Sequence, residues 1–121
     1  MPRPILDESA IHSAIRTKVA GWNRGIVDEV KAAVAAHPVV VVGMRQNPFP
    51  ARARKALQAI GQPFQYLEYG SYFSMWRPRS ALKMWTGWPT FPMVFVRGVL
   101  VGGAGELQAL IDSGELKALL G

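Results

Sequence analysis

The amino-acid sequence predicts an α/β domain: a four-stranded mixed sheet with helices on both faces and one added helix at the N-terminus. Three observations predict it. Pro38-Val-Val-Val-Val-Gly-Met44 is apolar at every pleat position but the glycine, the pattern of a central strand covered by helices on each side. Met93 to Val96 and Val99 to Val101 are β-prone runs separated only by Arg97-Gly98, which signals a tight hairpin. Between and around these runs the apolar residues recur at helical spacing.

In chain order, Asp7-Glu8-Ser9 precedes an amphipathic segment reaching about Ala20, with Ile11, Ile15 and Val19 four apart and Asp7 or Ser9 available as caps. Gly21 stops it. A second helix is expected from Asn23 to about Ala36, with Ile26 or Val27, Val30 and Val34 on one face, and His37-Pro38 ends it. After the central strand, Arg45-Gln-Asn-Pro-Phe-Pro50 reads as a loop into a helix from Ala51 to Ile60, with Ala53, Ala56, Leu57 and Ile60 inward and Pro50 at its first position. Arg52, Arg54 and Lys55 then fall on its solvated faces. Phe64 to Tyr69 reads as a strand, joined to the central one by a helical crossover and therefore parallel to it. Gly70-Ser71 opens a loop, and Pro78 to Thr86 reads as a short helix ended by Gly87. The hairpin follows, then a helix after Gly105 carrying Leu107, Leu110 and Ile111, and a last turn through Leu119 and Leu120. The central strand is thus expected between its parallel partner and the antiparallel hairpin.

At 121 residues with half of them apolar, the chain can bury a core without staples. No apolar run has membrane-spanning length, and the first residues lack a secretory pattern, so a cytoplasmic protein is expected. The absence of cysteine removes disulfides, thiolate nucleophiles and cysteine metal ligands together. The net charge of +6 is unevenly placed. Arg45 to Arg97 holds eight Lys or Arg against Glu68 alone, whereas the remainder has six basic and seven acidic residues. A positive field in the middle of the chain suits an anionic small molecule, an acidic protein or a nucleic acid, or no dedicated ligand.

Trp88-Pro-Thr-Phe-Pro92 leads straight into the hairpin, which ends at Gly102-Gly103. A cis bond before Pro92 would bend the loop and leave the backbone N–H and C=O of Phe91 unpaired at an edge, where an extended ligand can add as a strand. An ordinary trans proline at a strand start is the default for these residues alone.

With Trp88-Pro-Thr-Phe-Pro92, Val94-Phe-Val-Arg-Gly-Val-Leu-Val-Gly-Gly103 and the closing Ser113-Gly-Glu-Leu116 in register, the chain resembles the monothiol glutaredoxins, of thioredoxin fold, from about Val27 to Gly121. The resemblance divides it into an N-terminal helical extension, 1–22, and a glutaredoxin-like domain, 23–121. It implies that Pro92 is cis. The family's Cys-Gly-Phe-Ser site falls on Asn47, Pro48, Phe49 and Pro50, so only the phenylalanine is kept. Redox work and iron ligation there need a thiolate at a helix N-terminus, which an Asn47 amide does not replace, and the two prolines lack N–H groups to face an anion. The family's glutathione groove maps separately. Arg45 is the basic residue nearest the position before the loop, with Met44 at the dithiol-type offset. Phe91 beside Pro92, Arg79 in the third helix and Gly103 match further parts, and the acid position falls on Gly105, with Glu106 one place late.

Other constellations carry less. His12 and His37 have no carboxylates at metal-site spacing, Asp28-Glu29 are adjacent and do not share a helix face, and Ser71 and Ser74 have no organised base. Tyr72, Phe73 and Trp76 lie where a loop can present them beside Arg77, a combination able to stack bases, although packing accounts for most of the aromatics and nucleic acid is not the expected partner. The sequence therefore reads as a cysteine-free relative of the glutaredoxins without thiol catalysis. It requires no cofactor or metal and retains a groove at Arg45, Asn47, Arg79, Phe91, Pro92 and Gly103 for glutathione or a similar anion, a peptide or an acidic protein. The alternatives are an accessory role in a glutaredoxin-type oxidoreductase or iron–sulfur pathway, and a nucleic-acid-binding module.

Overall fold

A computed structural model describes residues 3–121. After a 3-10 turn at Glu8–Ala10, the elements are α1 (Ser13–Gly21), α2 (Arg24–Ala36), β1 (Val39–Gly43), α3 (Pro48–Ala59), β2 (Gln65–Glu68), α4 (Trp76–Thr86), β3 (Met93–Val96), β4 (Val99–Gly102), α5 (Ala104–Ser113) and α6 (Glu115–Leu120). The sheet order is β2-β1-β3-β4. β1 runs parallel to β2 and antiparallel to β3, so the central strand and its partners stand as expected. The hairpin closes through Arg97 and Gly98, both at positive φ, the type I′ geometry whose twist matches a two-residue hairpin.

The alternation of β1 divides the core. Val40 and Val42 join Ile26, Val30, Leu82 and Phe95 on the face covered by α2 and α4. Val39 and Val41 join Leu57, Val94, Leu107 and Leu116 beneath α3, α5 and α6. Gly43 is fixed by close approach: a Cβ there would lie 2.7 Å from the Pro50 Cβ, so its lack of a side chain lets α3 settle on the end of β1.

Several boundaries differ from the sequence reading. α3 begins at Pro48 and α4 at Trp76, each two or more residues early, because a proline's missing N–H costs nothing anywhere in a first turn whose N–H groups have no helical acceptor. α5 begins at Ala104, before Gly105. Ile60, expected inward, is half exposed. α1 is capped by His12, whose Nδ1 accepts the Ala14 N–H at 3.0 Å, and its expected apolar face buries no residue. Ile15 and Val19 are likewise about half exposed.

Candidate functional site

One edge of the sheet collects every loop of interest. The C-terminal ends of β1, β2 and β4 and the start of β3 lie together there, since Gly43 pairs with Glu68, Val42 with Met93, and Val94 with Gly102. The loops at 44–47, 69–75, 87–92 and 102–104 therefore line up along this edge.

Asn47 is the N-cap of α3. Its Oδ1 accepts the Phe49 N–H at 3.0 Å, as a capping side chain should. Its Nδ2 donates across to the Phe91 carbonyl at 3.2 Å. One neutral amide thus caps the helix and ties its entry to the bend before β3. The Phe91–Pro92 bond is cis. The carbonyl of Phe91, expected to stand free at the edge, is instead held by Asn47, because an asparagine offers a donor as well as an acceptor. The sequence signal for the cap, Asn followed by Pro at the first helical position, was present; the cross-loop donor had no local signal.

Beyond this tie lies a cleft of about 290 Å³ lined by Phe49, Thr90, Phe91, Pro92, Gly103 and Glu106, with Ala104 and Gly105 at the same helix start. The Gly103 N–H donates to Glu106 Oε1 at 2.9 Å, so the carboxylate caps its own helix. The structure brings Asn47, Phe91, Pro92 and Gly103 into one neighbourhood, though Asn47 stands beside the cleft and not among its walls.

The two cations assigned to the groove are not in it. Arg45 is exposed on the turn after β1, where its backbone N–H donates to the Gly70 carbonyl at 2.8 Å, and its side chain does not line the cleft. Arg79 is only 6% exposed. Its Nη1 donates to the carbonyls of Tyr69, at 3.0 Å, and Ser74. Desolvation lowers its pKa. The guanidinium is a strut beneath the 69–75 loop, a role that no local pattern in Arg77-Pro-Arg79 announces.

Two tyrosines frame the neighbouring strand end. Tyr66 is pushed up to about 12 by desolvation, with Glu68 adding to it, and its hydroxyl donates to Glu68 at 3.1 Å. Tyr69 is likewise raised to about 12 by desolvation and then by Glu29, which accepts its hydroxyl at 3.4 Å. Among the described residues no group of three or more His, Cys, Asp or Glu is placed to hold a metal ion. No described helix is long and apolar enough to cross a membrane.

The sequence profile of the family described as Glutaredoxin matches residues 39–101. A "Glutaredoxin-like protein" of Dictyostelium discoideum is 43% identical over 98 residues, covering 81% of this chain and 80% of the relative. Glutaredoxin 4 of Haemophilus influenzae is 32% identical, covering 78% of this chain and 90% of the relative. Among solved structures, a wheat glutaredoxin superimposes with a TM-score of 0.68 at 34% identity, over 78% of this chain and 90% of that one. With no cysteine anywhere in its 121 residues, the chain belongs to the glutaredoxin family as a divergent member that has lost the catalytic thiol.

Proposed function

We propose that this protein binds a polypeptide segment along the cleft between Phe91-Pro92 and Gly103, and that it works by association, without turnover. The observation that carries the reading is the double hydrogen bond of Asn47, which ties two loops together where the resemblance would put a thiol. The cleft beside it stays open. Its walls are mostly apolar, its charged group is the Glu106 carboxylate, and neither Arg45 nor Arg79 reaches it. A small anion such as glutathione would meet a carboxylate and a Gly103 N–H already in use. An uncharged backbone with an apolar side chain suits those walls better. A glutaredoxin of buckwheat solved with glutathione shares the fold at 22% identity, and glutathione is accordingly the competing ligand to test. A part in a redox or iron–sulfur pathway would require the partner to supply all reactive sulfur.

The test is a peptide-display selection on the full chain, followed by titration of selected peptides and of glutathione into isotopically labelled protein. The expected result is saturable peptide binding that moves the amide resonances of Thr90, Phe91 and Gly103, with no saturation by glutathione at millimolar concentration. Peptides that leave those amides unmoved, or glutathione saturating them, would overturn the proposal.

A further inference from the structure

The strongest anomaly on the surface is the loop that follows β2. Tyr72, Phe73, Met75 and Trp76 are 58%, 89%, 44% and 60% exposed, four large apolar side chains within five residues. Scattered single exposures are ordinary, but a contiguous cluster marks a contact surface. The loop beneath them is built. The Ser71 N–H donates to Ser74 Oγ at 3.1 Å and the Phe73 N–H to Ser71 Oγ at 3.2 Å. Buried Arg79 holds the carbonyls of Tyr69 and Ser74 from below. Gly70, at φ 69°, leaves the room this requires, since a Cβ there would lie 2.7 Å from the Ser74 oxygen. The backbone is thus fixed while its side chains face water, which lowers the ordering cost of binding.

The composition selects the kind of partner. Tyr, Phe, Met, Trp and Arg are the residues enriched in the buried centre of protein interfaces, and Trp, Tyr and Arg in their energetic hot spots. Arg77 lies over the Trp76 ring at 5.4 Å, and Arg45 is joined to the base of the loop through Gly70. Among the described residues the one ion pair is Arg24 with Asp28, so Arg45 and Arg77 have no carboxylate partner. A second copy of the chain would bring another net charge of +6 against the first. A nucleic-acid strand would use the arginines and aromatic rings but gain little from Met75.

We propose that the 72–77 segment, the end of the loop and the start of α4, is the anchor of a protein–protein interface whose partner is acidic, with an apolar recess that takes Phe73 and Trp76 and carboxylates that meet Arg45 and Arg77. The loop leaves β2 at one end of the same sheet edge whose other end carries the cleft, about 14 Å away across three strand spacings. One partner can span both, so the proposal rests on the protein-binding reading of the cleft and adds the partner's charge and its point of attachment.

The experiment places a photoreactive benzophenone amino acid at position 73, at Thr90 on the cleft rim, or at Ile60, an exposed apolar control at the far end of α3, in the full chain in its own host. The expected result is a discrete protein adduct from position 73, absent from position 60, whose identified partner is acidic. With that partner purified, Phe73→Ala and Trp76→Ala should each weaken binding roughly 30-fold. Their thermal midpoints should stay close to the parent's, because both rings are exposed. Neutralising both charges in R45Q/R77Q should remove most of the salt dependence of association. No adduct from position 73, an adduct shared with position 60, a nucleic-acid adduct, a dimer of the chain itself, or a partner without net negative charge would each overturn the inference. An adduct from position 90 without one from 73 would sink it while leaving the cleft reading standing, and an adduct from 73 without one from 90 would overturn the cleft reading and with it the single partner spanning both.

Discussion

Asn47 uses both ends of one amide: its oxygen caps α3 and its nitrogen holds the Phe91 carbonyl. Asn47→Ala should lower stability by about 1–2 kcal/mol in urea unfolding, the sum of a lost cap and a lost tie. Asn47→Asp keeps the acceptor for Phe49 but turns an oxygen toward Phe91, so it should recover only the cap; full recovery would show that the cross-loop bond contributes nothing. Tyr66 and Tyr69, both raised to about 12 from 10.0, predict a pH dependence. A phenol whose pKa is higher folded than unfolded adds stability that is complete below about 10 and lost as pH climbs toward about 12. Phenolate absorbance should show these two groups ionising late, and Tyr66→Phe should flatten part of the alkaline loss of stability. Ionisation of all tyrosines near pH 10 would contradict it. At this scale the sequence carried a signal where chemistry is local, as at the Asn47-Pro48 cap that a helix read from Ala51 passed over, and was silent where a partner comes from afar, as for Arg79, whose acceptors lie on another turn of chain.

Among the elements, the 69–75 loop depends on what lies under it. Arg79→Ala should cost about 3 kcal/mol, because it strips the Tyr69 and Ser74 carbonyls of their buried donor, and hydrogen exchange should accelerate in residues 70–76 before it does in β1. Uniform acceleration would assign Arg79 to the general core instead. α1 makes the opposite case. It buries no residue, so removing residues 3–21 should change the unfolding free energy by less than about 1 kcal/mol. The amphipathic spacing of Ile11, Ile15 and Val19 made a helix legible without saying whether anything covers it, since periodicity reports a face and not a neighbour. The early starts of α3 and α4 escaped for a related reason: proline marks a first turn but not which residue of it.

For the molecule as a whole, β1 was the most legible part, because four successive valines can be satisfied only by cover on both sides, and each of the four is fully buried. The hairpin and strand order followed from its neighbours. Leu57→Ala on the α3 face should cost about 2–5 kcal/mol in chemical denaturation, as a cavity at a fully buried position would. The site was half legible: Asn47, Phe91, Pro92 and Gly103 converge because backbone architecture brings them together, while Arg45 and Arg79 diverge because side-chain direction is decided by packing. The Asn47 tie also bears on reversibility. Placing a cysteine at position 47 would remove the donor to Phe91 and exchange the capping oxygen for a weaker sulfur acceptor, while Pro48 and Pro50 leave Phe49 as the one N–H among the first three helical residues able to face it. A thiol introduced there therefore loses stability and gains little acidity, so the Asn47 tie holds the helix entry against thiol chemistry; alkylation rates of the N47C protein across pH should place that thiol near an ordinary cysteine, about 8.5.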